Sequence, residues 1–325
     1  MAKQDQSKQS CAFRTSIGGQ ALIEGILMRG VDKQAIVIRS PEGELVTKVE
    51  QLHPLRERWP FFGWPLIRGI VSFLESMGKG MKAVTYSAQF LPDEEQEEPS
   101  KLDKWIEAHF SSEKAEKLII GIAVVLGIGL AVGLFILLPT FLVGLIPPLR
   151  HGHDGLRTLL EGVLKLAIFL GYMAAVSRMK EMKRMWGYHG AEHKTIYCYE
   201  HGKDLTVDNV RTESRFHPRC GTSFLLVVVI LSIFVFILAN AFLHVDNVFL
   251  RALVKIALLP VVVSLSYELN RWIGRHDELP VAKVLSWPGR MLQHLTTQEP
   301  DEGMMEVAIA SLKLVIPDKK GADAW

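Results

Sequence analysis

The stretch from Trp186 to Ser223, WGYHGAEHKTIYCYEHGKDLTVDNVRTESRFHPRCGTS, concentrates His189, Glu192, His193, Glu200, His201, His217 and Cys220. His189, Glu192 and His193 spell H-x-x-E-H, the reverse of the common zinc-protease order. On a helix, positions four apart lie about 40° from each other and one turn up, so two imidazoles can reach one ion at about 2.0–2.1 Å. Glu192 then stands beside that ion as the catalytic candidate, placed to take a proton from a water whose pKa the ion has lowered. Two histidines do not complete a site. His217 ranks first as a further ligand, Cys220 second and Glu200 third, because Glu200 follows His193 by seven residues, roughly 10 Å of helical rise. Nitrogen and sulfur donors of this kind suit zinc or another divalent transition metal. A plainer reading stands beside this one: the histidines are ordinary amphipathic residues, Glu192 pairs with a nearby cation, and Cys220 is a small apolar residue at a helix start.

The elements that must position these residues are mostly apolar. In 325 residues the apolar fraction is 49% and mean hydropathy is +0.19, high for a soluble chain, and the apolar residues are clustered. Residues 118–146 are free of charge and exceed the roughly 20 residues that cross a bilayer as helix. Pro139 is placed to kink this segment, and Gly127, Gly129 and Gly133 offer flat surface to a neighbour. A second segment covers about 156–176, where Glu161 and Lys165, four apart, are expected to pair. The third covers 224–243, with Thr222 and Ser223 placed to cap it, and the fourth about 250–269, containing Lys255 and Pro260. The turn bearing His151, His153 and Asp154 reads as solvated.

The fold class is therefore a mainly α membrane protein: about four transmembrane helices in two hairpins, 118–178 and 224–271, with a small N-terminal β-meander and cytoplasmic amphipathic helices. Residues 1–12 are expected to be disordered. Residues 13–91 hold the meander, with a hairpin at 35–50 turning on Pro41-Glu42-Gly43, and then a helix whose apolar side includes Ile67, Ile70, Leu74, Met77 and Met81. That side suits a membrane surface or the meander equally. Gly18, Gly19 and Gly25 mark a bulge or a close approach of another backbone, and Glu24 reads as a solvated strand edge, with a ligand or ligand-supporting role as the lesser alternative. An acidic linker at 92–103, the polar connection at 179–223 and a C-terminal region at 272–325 complete the chain. In that last region Thr297 is placed to cap a helix that buries Met304, Val307, Ala308, Leu312 and Val315.

A net charge of +2 and no basic stripe speak against a nucleic-acid partner, and three scattered cysteines speak for reduced thiols in the cytosol. The strings GGQALIEGILMRG, HGAEHKTIYCYEHGKDLTVDNVR, SRFHPRCGTSFL and LTTQEPDEGMMEVAIASL resemble the YqhQ-like family of bacterial membrane proteins of unknown function, from about Phe13 to Ile316. The resemblance implies a metal-dependent enzyme, with His189, Glu192, His193, His217 and Cys220 at its motif positions. Together these readings give a multi-pass protein of the bacterial cytoplasmic membrane, both termini in the cytoplasm, in contact with the lipid bilayer. It would be a metal-dependent hydrolase acting on a membrane-associated peptide or lipid, or else a non-enzymatic scaffold, assembly or partner-binding factor with a structural metal or none. A transport role would need a homo-oligomer, since four helices are few for a path.

The orientation rests on Arg178, Lys180, Lys183 and Arg184 after the second segment and Arg271 and Arg275 after the fourth. Single cysteines at 150–155, in a cysteine-free background, are expected to react with an impermeant thiol reagent added outside, and those near 205 are not. The opposite labelling pattern would reverse the orientation.

Overall fold

The computed structural model describes residues 13–91, 112–146, 154–243, 245, 247–319 and 321–324. The terminus 1–12, the acidic linker 92–103 and the histidines of the 151–153 turn fall outside them. Two compact units emerge, one containing residues up to 91, 173–228 and 263 onward, the other residues 92–172 and 229–262.

The first unit is built on an antiparallel sheet in the order β1-β2-β3-β4, comprising Gly18–Leu22, Gly25–Arg29, Lys33–Arg39 and Leu45–Gln51. The central strands GILMR and QAIVIR are apolar without alternation because helices cover both faces. Ile26, Met28, Ala35 and Val37 face a core shared with the helices Lys180–Glu200 and Glu302–Val315. Leu22, Leu27, Ile36 and Ile38 face Ala83 of the helix Ile67–Ala88. β4 is a charged edge on which Lys48 pairs with Glu50 at 2.9 Å. The expected β3–β4 hairpin closes on Gly43 at φ +89°.

The helix Ile67–Ala88 answers to both alternatives. Gly80, Ala83 and Ser87 are buried, whereas Leu74, Met77 and the preceding Trp59, Phe61 and Trp64 are exposed. In the C-terminal helix the five expected apolar residues are all buried. Its cap is Asp301, whose Oδ1 accepts from the Met304 N–H at 2.8 Å, and not Thr297. Thr297 instead closes the preceding helix, Pro280–Thr296, by donating its hydroxyl to the Gln293 carbonyl.

Among the described residues four helices are long and apolar enough to cross a membrane: Leu118–Gly144, Gly155–Val176, Gly221–Leu243 and Val248–Arg275. In the most apolar window of the first, only 6% of residues are buried, so its surface demands lipid. Pro139 is accommodated by a π-helical turn, Gly133–Leu137, where the Leu138 N–H reaches back to the Gly133 carbonyl. The third helix begins at Gly221, which puts Thr222 and Ser223 inside it and leaves Cys220 at the cap position; the Cys220 sulfur accepts from the Thr222 N–H.

The expected Glu161–Lys165 pair is replaced by a larger cluster within the second unit. Glu161 accepts from Arg251 at 3.1 Å, from Arg157 at 3.3 Å and from Lys255. Lys165 donates to Ser232 Oγ at 2.9 Å and lies over the Phe236 ring. Lys255 also donates to Thr140, and Arg251 to Thr158 and Asn240. One carboxylate thus anchors three cations, all of them nearly inaccessible. Glu161→Gln, which removes the shared anion and keeps the shape, is expected to destabilise the protein by about 3–5 kcal/mol, read as a lowered midpoint in a detergent-unfolding titration.

Candidate metal centre

The helix Lys180–Glu200 has low overall hydrophobicity, yet every residue from Gly187 to Ile196 is buried. A polar helix can occupy the middle of a unit only if its neighbours meet its polar groups. Close approach is what allows this. A Cβ on Gly190 would lie 2.0 Å from the Gln298 carbonyl oxygen, so the extended chain after the helix Pro280–Thr296 runs against the helix backbone. On the opposite side the turn between β1 and β2 is fastened by Glu24. It accepts two bonds of 2.5 Å from Arg184 and one of 3.1 Å from the Tyr188 hydroxyl. Glu24 holds φ +50°, a conformation costly for a side-chain-bearing residue and sustained by these bonds. It is a latch between sheet and helix, not the solvated edge that the sequence suggested.

His189, His193 and Cys220 come together, with one ligand-capable atom from each inside 4.8 Å of the others. His189 Nδ1 lies 2.7 Å from the Thr296 carbonyl and His193 Nδ1 lies 2.6 Å from the Arg215 carbonyl. A carbonyl only accepts, so both Nδ1 atoms carry hydrogen, and in the neutral form of each ring the lone pair is on Nε2. His189 Nε2 is 3.2 Å from the Cys220 sulfur. Metal-bound histidines are commonly held in this way through the remote nitrogen.

The electrostatics agree with the geometry. Burial works to raise the Cys220 thiol, but the two imidazoles and the hydrogen bonds from them outweigh it and hold the thiol well below its ordinary value. Burial works against a charged His189, yet the adjoining sulfur lifts it to about 9. A thiolate sharing a proton with an imidazole is a site that a cation can enter by displacing that proton. Glu192 is held above the ordinary carboxylate range, by burial first and by Cys220 next, against the pull of both histidines. Its Oε1 accepts from the Gly19 N–H at 2.9 Å, while Oε2 is buried with no hydrogen-bond partner among the described residues. A Cβ on Gly19 would meet the Leu27 carbonyl oxygen at 2.8 Å and Glu192 Cδ at 3.0 Å, so only glycine lets β1 approach this closely. Gly25 meets a similar limit against Val37, whereas Gly18 is in open space.

His217 and Glu200 are placed differently. The His217 ring centroid is 5.6 Å from that of His193, but its nitrogens are engaged elsewhere. Nδ1 accepts from the Arg219 N–H at 3.3 Å, which leaves Nε2 to face Glu200 Oε2 at 3.5 Å. Burial, reinforced by Arg219 and His193 against the pull of Glu200, pushes His217 down to about 4, so it is neutral at pH 7. Glu200 lies at the end of an unbroken helix, pairs with Arg219 and accepts from the Thr15 N–H at 2.8 Å. His201 and Lys203 both engage Glu213. Thr296 and Arg215 are contributors that side-chain reasoning missed, because each acts through its backbone. Gly19 was legible in part, as a glycine marking the close approach of another backbone.

A multi-pass membrane protein with a buried His-His-Cys cluster and an adjoining carboxylate is the class that fold and site define. The chain belongs to the family described as Protein of unknown function (DUF1385), whose pattern matches residues 64–318. It is 33% identical over 301 residues, 90% of either chain, to the "Uncharacterized protein YqhQ" of Bacillus subtilis (strain 168). The YqhQ-like resemblance read from the sequence is thereby met. No solved structure matches the chain.

The displaced titration of His217 has a measurable consequence. Between its ordinary value of 6.5 and about 4 the unfolded chain takes up a proton here and the folded one does not, so stability is lost as pH falls through that window. His189, shifted the other way, titrates above it. His217→Asn is expected to flatten this part of the stability curve, measured by thermal unfolding of the detergent-solubilised protein.

Proposed function

We propose that this protein is a metal-dependent hydrolase of the bacterial cytoplasmic membrane, facing the cytoplasm, that acts on a membrane-associated peptide or lipid. The observation that carries the reading is that ligand atoms of two imidazoles and a cysteine sulfur lie within 4.8 Å of one another, near enough to Glu192 for all three to act on its carboxyl. The donor set fits zinc or a similar divalent transition ion, with His189, His193 and Cys220 to hold it. Bound there, the ion would supply Lewis acidity.

The chain's own residues supply the rest. The Thr296 and Arg215 carbonyls orient the histidines, and the Gly19 N–H fixes one oxygen of Glu192 while the other stays available. A carboxylate with its proton affinity raised by burial is a better base near neutral pH than an exposed one. Glu192 therefore takes a proton from the attacking water and returns it to the leaving group, so that water adds across the broken bond. His189, His193 and Cys220 would hold the ion with three protein donors, the number that catalytic zinc sites use.

The second reading, a scaffold, assembly or partner-binding factor with a structural metal, is favoured by one fact: all three ligand residues are buried. The readings part at Glu192. Protein purified without chelator is expected to carry about one zinc or similar ion per chain. His189→Ala with His193→Ala should remove most of it, and Cys220→Ser should weaken its retention. Glu192→Gln should keep the metal and, in an enzyme, abolish turnover, by roughly a hundredfold or more if it is the base. Metal content is read by elemental analysis; folded wild-type protein without metal would end this reading.

A further inference from the structure

Beside β1, with Gly19 in its wall, the first unit holds an open cavity of about 630 Å³, within the range of ligand-binding pockets. Its wall carries seven Arg or Lys side chains and one carboxylate, Glu75. Two of those cations are committed elsewhere, Arg68 to Glu268 and Arg219 to Glu200 and Asp277. Arg29, Arg56, Lys79, Arg271 and Arg275 remain against Glu75, which itself accepts from the Leu55 N–H. Arg29 is half-buried, and burial lowers its pKa and that of Lys79. Cations confined in this way favour an anion, and forked guanidinium groups match the oxygens of a phosphate.

The position of the cavity indicates which anion. Tyr267, Asn270, Arg271 and Arg275 of its wall lie in the last turns of the membrane helix Val248–Arg275, where lipid headgroups begin. Phe62 lines it too, and its neighbours Trp59, Phe61 and Trp64 are exposed as aromatic residues are at a bilayer interface. The wall also includes Leu27, Val31, Val71 and Leu52, which can receive the apolar part of a lipid. We infer that this cavity receives the phosphate headgroup of an anionic phospholipid. Resting on the function proposed above, it further makes that headgroup the polar end of the substrate, since Gly19 lines the cavity and its N–H holds Glu192.

The test uses the full chain in mild detergent, offered dihexanoyl-phosphatidic acid, dihexanoyl-phosphatidylcholine or inorganic phosphate, with complexes counted by native mass spectrometry. Phosphatidic acid is expected to bind and the zwitterionic lipid is not. Arg29→Gln and Arg271→Gln should each weaken binding roughly fivefold, and together about twenty-five-fold, while Lys48→Gln on the edge strand leaves it unchanged. Arg275→Gln, at an exposed position of the same wall, repeats the test without disturbing a half-buried side chain. Equal binding of the two lipids, or variants that bind like wild type, would overturn the inference. Displacement by an equal concentration of inorganic phosphate would overturn the lipid assignment and make a soluble phosphate the ligand. Phosphatidic acid retained by the His189→Ala, His193→Ala variant supports a receptor independent of metal, so a failed metal analysis would remove the hydrolase alone. Its loss from a folded double variant would overturn the receptor.

Discussion

A helix cannot carry two histidines, a glutamate and a lysine through the interior of a folded unit unless each polar group finds a partner there. This constraint shapes the first unit. The Thr296 and Arg215 carbonyls, the Gly19 N–H and the Arg211 carbonyl that accepts from Lys194 are all main-chain groups. Main chain can reach a helix only where side chains are small, which is why Gly190 and Gly19 occur where they do, whereas Gly187 makes room for the Met304 side chain. Leaving a buried polar group unmet typically costs about 1–3 kcal/mol, a cost that, among the described residues, this helix carries at the spare oxygen of Glu192 and also at Trp186 Nε1 and Thr195 Oγ1.

The same rule operates under a different solvent in the second unit. There the anion is scarce and the cations are many, and Glu161 is shared among Arg157, Arg251 and Lys255 with hydroxyls and an amide filling the remaining valences. What differs is the share of main chain in the pairing: backbone groups meet His189, His193, Glu192 and Lys194 beside side-chain pairs such as Arg219 with Glu200, whereas the cluster around Glu161 is made of side chains, the amides of the membrane helices being already spent within each helix.

The membrane helices, the hairpin at Gly43 and the apolar face of the C-terminal helix were legible in the sequence because each is a periodic pattern or a residue with a fixed dihedral preference. The H-x-x-E-H spacing likewise placed His189 and His193 on one face. Partner choice was less legible. Lys165 lies one turn from Glu161 in sequence, yet three cations on the same and a neighbouring helix take that carboxylate, a tertiary competition that no local pattern reveals. Thr297 and Asp301 are both good caps, and only the start of the helix decides between them. His217 outranked Cys220 on imidazole chemistry alone, whereas its lone pair is taken by the Arg219 amide two residues on. Glu24 was hidden because a latch on a positive-φ turn has the same composition as any exposed acid.

Cys220 is the last residue before a helix of 23 residues, and the Thr222 N–H binds its sulfur. The first turn of that helix is tied to the helix Pro280–Thr296, through the hydroxyls of Thr222 and Thr296 and through Gln293, which donates to the Ser223 hydroxyl. The Thr296 carbonyl of that same helix orients His189. Sulfur and imidazole are therefore both referred to one helix end, and a change at Thr296 would disturb the two ligands together.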